Sequence, residues 1–365
     1  MATTKSIAVG LSGGVDSAVA AALLKREGYR VLGLTMKIWS GAVAIREGAH
    51  HACFGPGEAE DIAACEALCS QLGIDYHVVD LTAEYEARVL DYFRSEYLGG
   101  RTPNPCIVCN RELKFGFLLE RARDAGIEFD LFATGHYARI ERRDGLFWLR
   151  TALDASKDQS YFLHRLPSDL LGTVRFPLGE LHKNEVRAEA RRLGLEVADK
   201  AESQDFIAGG DYTPLFADAP PSEGDIVDES GRALGRHRGL PYYTVGQRRG
   251  LGISVGVDPL YVLRLDAERN HVIVGPGRGL FAEALEASDL FLQDPQLASR
   301  PFAALARIRQ NHKPAPCRVT AGEGYCRVDF DDAQRAIAPG QSIAFYDDSG
   351  FVLGGAIIRS SVERA

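Results

Sequence analysis

Short apolar runs alternate with amphipathic stretches through the first two hundred residues. The apolar runs are rich in β-branched residues and predict buried strands over 6–11, 31–38, 76–81 and 131–134. Between them, helical periodicity predicts helices over 18–26, 58–72, 84–98 and 110–125. Strands that alternate with helices are typical of βαβ units, so the pattern predicts an α/β domain with a doubly wound parallel sheet.

The pattern changes in the second half of the chain. Helical periodicity fades after residue 224, and short strands separated by turns follow, including 261–265 before 272–274 and a hairpin of 343–346 with 351–353. The last eighty or so residues therefore predict a small β-barrel or sandwich. We expect three domains: an α/β domain over 1–205, a small central domain over 206–282, and a C-terminal β-barrel over 283–365.

Composition narrows the class of protein. The chain has 365 residues, 45% hydrophobic and 25% charged, which is typical of a cored globular protein. No apolar run is long enough to span a bilayer, so we expect no membrane partner and a cytoplasmic location. The seven cysteines are irregularly spaced in a long chain, which favours reduced thiols with a chemical or metal-binding role over a disulfide framework.

Charge gives a mixed indication about nucleic acids. The net charge of −8 argues against non-specific coating of nucleic acid, but recognition of a folded RNA needs only a local basic surface. Two basic clusters are candidates, although each could equally be a solvated face. They are Arg236, His237, Arg238, Arg248 and Arg249, and Arg307, Arg309, His312 and Lys313.

The sharpest motif is the run SGGVDS at 12–17, between the first predicted strand and the first predicted helix. Glycines let the backbone approach an anion, serine hydroxyls add donors, and the helix N-terminus adds amide N–H groups and a positive dipole end. The run is neither a Walker A loop nor a dinucleotide fingerprint. It nevertheless predicts a phosphate site.

A Cys-x-x-Cys pair, Cys106 and Cys109, supplies the second chemical motif. Alone it is compatible with a redox pair, half a zinc site, an iron–sulfur corner or a purely structural role. The pair follows the stiff segment TPNP and precedes the helix predicted over 110–125, with Asn110 as its cap. We therefore expect the helix dipole to favour thiolate over thiol.

The run at 12–17 resembles the pyrophosphate loop of the PP-loop ATPases, which cleave ATP between its α- and β-phosphates. Within that superfamily the chain resembles the tRNA-specific 2-thiouridylases over nearly its whole length. Several motifs agree in order and spacing. They are RTPNPCIVCNRELKF at 101–115, ATGHYAR at 133–139, SKDQSYFL at 156–163, FPLG at 176–179, YTVGQRRGLG at 243–252 and PGQ at 339–341.

The resemblance implies the ligands and the site residues. It implies ATP with Mg²⁺, a tRNA substrate, a sulfur donor that is either a carrier protein or sulfide, and adenylation of the O2 of the wobble uridine before sulfur attacks. The implied ATP-binding residues are Gly10, Leu11, Ser12, Gly13, Gly14, Val15, Asp16, Ser17, Met36 and Gly135. The implied tRNA-binding residues are Asn104, Pro105, Cys106, His136, Lys157, Asp158, Gln159, Arg309, Gln310 and Gln341. Cys109 matches the family's first catalytic cysteine, Cys106 stands where some members have an aspartate, and Asp16 is expected to orient metal and phosphate.

One departure from the family pattern concerns sulfur. Many members carry a second catalytic cysteine, as a persulfide, just after a stretch like ESQD at 202–205, but here no cysteine lies between Cys109 and Cys317. Cys53, in the glycine-rich loop after the second strand, is our candidate replacement. It could carry the persulfide that Cys109 resolves as a disulfide, or it could join Cys106 and Cys109 as metal ligands of a [4Fe–4S] cluster.

Other interpretations stay open at this point. Cys53 could be a non-catalytic loop cysteine, and Cys65, Cys69, Cys317 and Cys326 are expected in the core. Zinc at His50 and His51 lacks a fourth ligand at sensible spacing. Two other functions fit the same loop: a PP-loop amidating ligase, which needs neither the cysteine pair nor tRNA, and a non-catalytic protein that binds ATP and tRNA.

Overall fold

In a computed structural model, residues 4–45, 52–200, 205–207, 211–253 and 259–362 are described. They form two compact units. The first unit draws on residues within 1–89, 106–214 and 350–352, and the second on residues within 90–105, 215–349 and 353–365. His50 and His51, the sequence candidates for a metal site, lie outside the described residues, as does the stretch 202–204.

The strands are, in chain order, β1 (Ser6–Gly10), β2 (Arg30–Lys37), β3 (Ala52–Phe54), β4 (Asp75–Asp80), β5 (Leu131–Thr134), β6 (Ala138–Arg143), β7 (Leu146–Thr151), β8 (Val174–Arg175), β9 (Asp205–Ile207), β10 (Gly224–Asp228), β11 (Ala233–His237), β12 (Leu260–Asp266), β13 (His271–Pro276), β14 (Phe281–Leu292), β15 (Phe302–Arg307), β16 (Ala315–Ala321), β17 (Tyr325–Arg335), β18 (Ser342–Tyr346) and β19 (Val352–Val362). The α-helices are α1 (Val15–Arg26), α2 (Glu58–Leu72), α3 (Thr82–Tyr85), α4 (Asp91–Leu98), α5 (Pro105–Val108), α6 (Leu118–Asp124), α7 (Ser160–Leu163), α8 (Ser168–Thr173) and α9 (Lys183–Arg192). Two helical segments are π-helical, Glu86–Leu90 and Cys109–Phe117, and 3₁₀ turns cover Glu196–Asp199, Thr213–Phe216, Leu240–Tyr242, Gly277–Leu280 and Pro295–Ser299.

A parallel five-stranded sheet in the order β4-β2-β1-β5-β8 forms the centre of the first unit. The chain passes from β1 to β2 on one side, and later returns to the other side of β1 as β5. The strand order therefore reverses between β1 and β5, and in open parallel sheets ligands bind at the carboxyl ends of the strands at such a point. The predicted doubly wound parallel sheet is confirmed.

The core of the first unit explains why α1 is so rich in alanine. Val15, Ala18, Ala20 and Ala21 are all buried, because this helix packs against the sheet and also contacts α2 and α9. Small side chains let the helices approach closely, and burial of the surrounding apolar residues drives the packing. Cys65 and Cys69 lie in this core at 1% exposure each, as the sequence predicted.

The helix predicted over 110–125 has a different start and a different form. It begins at Pro105, and after one α-turn it runs as a π-helix over Cys109–Phe117 before α6. Leu118 N–H donates to the carbonyl oxygen of Leu113, five residues back, as π-helical bonding requires. Asn110 is therefore not a cap: it is buried, and its Nδ2 donates to the carbonyl oxygen of Phe162 at 3.3 Å.

The second unit contains the expected β-structure. One sheet has the order β11-β10-β13-β12, and the six strands β14-β17-β16-β15-β18-β19 form a closed barrel. Closure removes the exposed edges of the sheet, and Cys317 and Cys326 lie in its interior as predicted. Among the residues the structure describes, no helix is long and apolar enough to cross a membrane.

Candidate active site

The loop after β1 has the geometry of an anion site. β1 ends at Gly10 and α1 begins at Val15, so the loop lies at the helix N-terminus. Gly13 adopts a φ of +68°, a conformation that side chains disfavour. Ser17 Oγ donates to the carbonyl oxygen of Gly14 at 3.2 Å and accepts the N–H of Ser12 at 3.3 Å. These bonds hold the loop in shape around backbone amides that can bind phosphate.

Other residues that the sequence assigned to ATP lie at the same edge of the sheet. Met36 is near the carboxyl end of β2, and Gly135 follows β5 directly. A side chain at Gly135 would place its Cβ 2.6 Å from the backbone nitrogen of Ser17. Glycine is needed here because the strand end packs directly against the first turn of α1.

Asp16 is held by two partners that the sequence did not reveal. Lys183 Nζ lies 2.8 Å from both of its carboxylate oxygens, and Tyr137 Oη donates to Oδ1 at 2.8 Å. The Lys183 side chain is only 11% exposed, whereas that of Asp16 is 30% exposed, so the lysine is the more buried partner of this ion pair. The contacts fix the orientation of Asp16 at the helix N-terminus.

A second lysine reaches the other end of the loop. Lys200 Nζ donates to the carbonyl oxygen of Gly13 at 3.0 Å and to Asp61 Oδ1 at 2.5 Å. Asp61 lies in the first turn of α2, and its Oδ1 is also close to where a Gly13 side chain would be. Two lysine–carboxylate pairs thus flank the loop, and both lysines are distant from it in sequence.

Three thiols of the first unit share one electrostatic environment. Cys106 lies in α5, Cys109 begins the π-helix, and Cys53 lies on β3; Cys53 is exposed and the other two are partly buried. The charge of Cys53 acts on Cys109, and all three thiols act on the ammonium of Lys114. The structure therefore brings Cys53 into the neighbourhood of the Cys-x-x-Cys pair.

Cys53 also lies beside the region where the family pattern has its second cysteine. β3 pairs in parallel with β9, with Ala52 opposite Asp205 and Phe54 opposite Ile207. Cys53 therefore lies level with Phe206, immediately after the ESQD stretch. This short pairing could not be read from the sequence, because strands of three residues leave no periodicity.

The expected activation of Cys109 by the helix dipole is not what the structure indicates. Burial raises the pKa of the Cys109 thiol to about 11, and the charge of Lys114 opposes that rise only in part. The physical reason is that Cys109 lies in the second turn of the helix among protein atoms, where the cost of desolvating a thiolate exceeds the benefit of the dipole. Burial alone would lower the pKa of Lys114. The negative charges that Cys109, Cys53 and Cys106 carry when ionised outweigh the effect of burial, so the pKa of Lys114 is raised overall.

His136 is a neutral, partly buried side chain. Its Nδ1 lies 2.7 Å from the hydroxyl of Thr134, and its ring packs against Phe115 and Phe176. Burial, assisted by the positive charge of Lys114, lowers the pKa of His136 well below its ordinary value. At neutral pH the ring can therefore donate or accept a hydrogen bond but carries no charge.

Two residues that the resemblance assigned to tRNA have internal partners. Asp158 is 2% exposed, and its oxygens accept hydrogen bonds from Ala152 N–H at 2.9 Å and the Ser160 hydroxyl at 2.9 Å. Gln159 Oε1 accepts the N–H of Tyr137 at 2.9 Å. Lys157 lies between strand β7 and helix α7 and is partly exposed.

The remaining tRNA candidates belong mostly to the second unit. Asn104 is half-buried and Pro105 buried, and Gln341 donates its side-chain amide to the carbonyl oxygen of Thr102 at 3.0 Å. Arg309 and Gln310 follow β15 and are partly exposed.

Only part of the first basic cluster is exposed to solvent. Arg248 and Arg249 are exposed, whereas His237 is 2% exposed and its Nε2 lies 2.9 Å from the carbonyl oxygen of Asn270. Arg236 pairs with Asp225 at 3.1 Å, which cancels its charge. In the second cluster, burial and the charges of Arg309 and Arg307 lower the pKa of His312.

The described part of the chain offers carboxylates for magnesium but no cluster of metal-binding side chains. Among the described residues no group of three or more histidine, cysteine or acidic side chains is arranged to hold a metal ion, so Cys53, Cys106 and Cys109 do not form a ligand set of that kind. Magnesium differs, because it is usually held by one or two carboxylates together with phosphates and water. Asp16 and Asp61, on either side of the loop, supply carboxylates of that kind.

Three family models match successive parts of the chain and define the class of protein. Residues 5–208 match the family described as "tRNA methyl transferase HUP domain", residues 215–276 the "tRNA methyl transferase PRC-barrel domain" and residues 283–358 the "Aminomethyltransferase beta-barrel domain". Together with the parallel sheet and its loop, these matches define a PP-loop protein of the HUP class with a C-terminal β-barrel.

Full-length relatives narrow the class. The chain is 45% identical to the "tRNA-specific 2-thiouridylase MnmA" of Geobacter metallireducens, with 98% of each chain covered. The relative of the same name from Syntrophotalea carbinolica is 46% identical, with 96% of this chain and 97% of that protein covered. The relative from Endomicrobium trichonymphae is 42% identical, with 98% of this chain and 100% of that protein covered. The chain belongs to the tRNA-specific 2-thiouridylase family.

Proposed function

We propose that this protein is the tRNA-uridine 2-sulfurtransferase that its family membership indicates, with Cys109 and Cys53 as the thiols that handle sulfur. The observation that carries the proposal is the arrangement of the first unit. An anion-binding loop at the reversal point of the sheet and three thiols around Lys114 lie in one compact unit. ATP activation and sulfur transfer are the two chemistries that such an arrangement serves.

The first half-reaction activates the base. The O2 of the wobble uridine attacks the α-phosphorus of ATP, the bond to the β-phosphate oxygen breaks, and pyrophosphate leaves. Loop amides and the dipole of α1 stabilise the charge that develops on the phosphates. Mg²⁺, when bound to Asp16 or Asp61 and the phosphates, would add Lewis-acid stabilisation of that charge.

The second half-reaction installs sulfur. The terminal sulfur of a persulfide on Cys53 attacks C2 of the adenylated base, and AMP leaves with the former O2. Cys109 then attacks the inner sulfur, so that the sulfur–sulfur bond breaks, 2-thiouridine is released and a Cys53–Cys109 disulfide remains. Two routes reload Cys53. An external dithiol reduces the disulfide, and a persulfide-carrying protein then transfers its terminal sulfur to the Cys53 thiolate and is left as a thiolate; alternatively, sulfide attacks the Cys53 sulfur of the disulfide, which leaves a persulfide on Cys53 and a thiolate on Cys109. No step of this reaction involves an iron–sulfur cluster, because no group of described side chains is arranged to hold one.

The domain division 1–205, 206–282 and 283–365 and the tRNA-contacting residues are part of the same proposal. Arg248 and Arg249, which are exposed, and Lys157, which is partly exposed, are candidates to contact phosphates of the substrate. We place the reaction in the cytoplasm, where the tRNA substrate occurs.

The test separates the two half-reactions. Purified protein is incubated with unmodified tRNA, ATP, Mg²⁺ and a persulfide donor, and pyrophosphate and 2-thiouridine are measured. We expect tRNA-dependent pyrophosphate release in both the wild type and Cys109→Ser, but 2-thiouridine only in the wild type. A Cys109→Ser protein that thiolates normally would refute the sulfur assignment. Pyrophosphate release without tRNA but with an amine acceptor would favour an amidating ligase, and no release at all would favour a binding protein.

A further inference from the structure

Two lysines reach the phosphate loop from one distant stretch of chain. Lys183 is the first residue of α9, and Lys200 follows the 3₁₀ turn Glu196–Asp199. Lys183 Nζ lies 2.8 Å from the carboxylate of Asp16, just inside α1, while Lys200 Nζ lies 3.0 Å from the carbonyl oxygen of Gly13. One ammonium group is thus placed at each end of the loop.

Placing these two lysines beside the loop costs free energy, because each side chain is mostly removed from water. The two lysine side chains are 11% and 23% exposed, and lysine is rarely buried unless it is paired. Here Lys183 is paired with the carboxylate of Asp16 and Lys200 with that of Asp61. A pair that served only for stability would not need to lie against the loop backbone, as Lys200 does at Gly13.

The ammonium group is suited to exchange partners when a polyanion arrives. It carries three donors on a flexible stem, so it can turn from a carboxylate to a phosphate oxygen without moving the backbone. The carboxylates that it releases are then free for a cation. The cost of desolvating the lysines has been met before the ligand binds, because the ion pairs already hold them in place.

We infer that Lys183 and Lys200 form a two-lysine clamp that binds the pyrophosphate portion of ATP, one lysine on each side of the loop. The clamp rests on the proposed function, since it assumes that the loop binds ATP. It goes beyond it by assigning two residues, outside the loop motif, to the phosphates that leave rather than to the nucleoside.

The experiment compares ligands that differ only in phosphate content. Binding of ATP, AMP and inorganic pyrophosphate is measured by calorimetry for the full chain, Lys183→Met, Lys200→Met and the control Lys25→Met. Lys25 lies in the last turn of α1, roughly 14 Å along the helix from Asp16, and it bonds to the carbonyl oxygen of Leu72. We expect each clamp variant to lose at least about tenfold in affinity for ATP and pyrophosphate, the loss typical of one charged hydrogen-bond donor.

Binding of AMP reports whether the site is otherwise intact. We expect AMP affinity to change less than about threefold in both clamp variants, and the control to match the wild type for every ligand. Unchanged ATP affinity, or an equal loss of AMP and ATP, would overturn the clamp while leaving the proposed function standing. A wild-type protein that binds neither ATP nor pyrophosphate would overturn both. Lys200→Met provides the cleaner arm, because its carboxylate partner Asp61 lies outside the loop, whereas Asp16, the partner of Lys183, belongs to the loop motif itself.

Discussion

Gln341 donates its side-chain amide to the carbonyl oxygen of Thr102 at 3.0 Å, and the N–H of Thr102 donates to the carbonyl oxygen of Pro339 at 2.7 Å. A turn before β18 therefore fixes the segment that leads to Asn104. We expect Gln341→Ala to lower the free energy of unfolding by about 1 kcal/mol and to speed amide exchange over 101–105. Gln334→Ala is the matched control, since it removes a side-chain amide that donates to the carbonyl oxygen of Asp332, two residues away in the chain. Equal exchange in both variants would contradict a positioning role.

Cys53 should be the thiol that acquires sulfur. It is exposed, whereas Cys65 and Cys69 are buried in the core, where burial raises the pKa of the Cys69 thiol to about 12. After treatment with a persulfide donor, peptide mass spectrometry should find the added sulfur atom on Cys53 and none on the two core thiols. Cys53→Ser should lower thiolation at least about a hundredfold, because one step of the transfer is removed. Normal thiolation by Cys53→Ser would assign the carrier elsewhere.

Lys114 should govern the reactivity of Cys109. Burial raises the pKa of that thiol to about 11, and the Lys114 ammonium is the group that opposes the rise. Replacing Lys114 by methionine should therefore raise the pKa of Cys109 further and slow its alkylation at a fixed pH, about tenfold for each unit of pKa.

The measurement is the rate of iodoacetamide labelling of the Cys109 peptide as a function of pH. Lys25→Met, which removes a distant lysine, controls for the change in total charge. Identical pH profiles for Lys114→Met and the wild type would show that the lysine does not act on this thiol.

His136 should make stability depend on pH. Because burial holds the pKa of the folded-state imidazole well below its ordinary value, the unfolded chain binds a proton that the folded chain does not. The free energy of unfolding therefore falls as pH decreases below about 6.5, the pKa of histidine in the unfolded chain, with a slope of up to about 1.4 kcal/mol per pH unit. Above that pH the histidine has no such effect. Urea unfolding between pH 7 and 5 should show a shallower slope for His136→Gln than for the wild type. His77→Gln, on β4, serves as the control, and equal slopes for wild type and His136→Gln would contradict the argument.

The sheet and the loop were predictable because local patterns determine them. The apolar runs gave β1, β2, β4 and β5 within a residue or so at each end, and the glycine-rich junction marked the phosphate site. The start of the helix at Pro105 was missed, although proline is favoured in a first turn. A π-helix has no sequence signature, so the register of Cys109 and Lys114 could not be foreseen.

The least predictable parts of the site are contacts between residues far apart in the chain. Nothing near Lys183 or Lys200 in sequence indicates that they reach the loop, because the contact depends on how α9 packs against α1. The burial that raises the pKa of Cys109 is likewise a tertiary effect that outweighs a local helix dipole.

The parallel pairing of β3 with β9 has a consequence for how such an enzyme can change over generations. Two strands of three residues each, far apart in the chain, place Cys53 and Phe206 at the same level of a parallel pair. A reactive atom can therefore disappear from one strand and be supplied by its neighbour, with little displacement in space and no change of fold. Under the proposed assignment of Cys53, a chain with a thiol on both strands would remain active, so such an exchange requires no inactive intermediate.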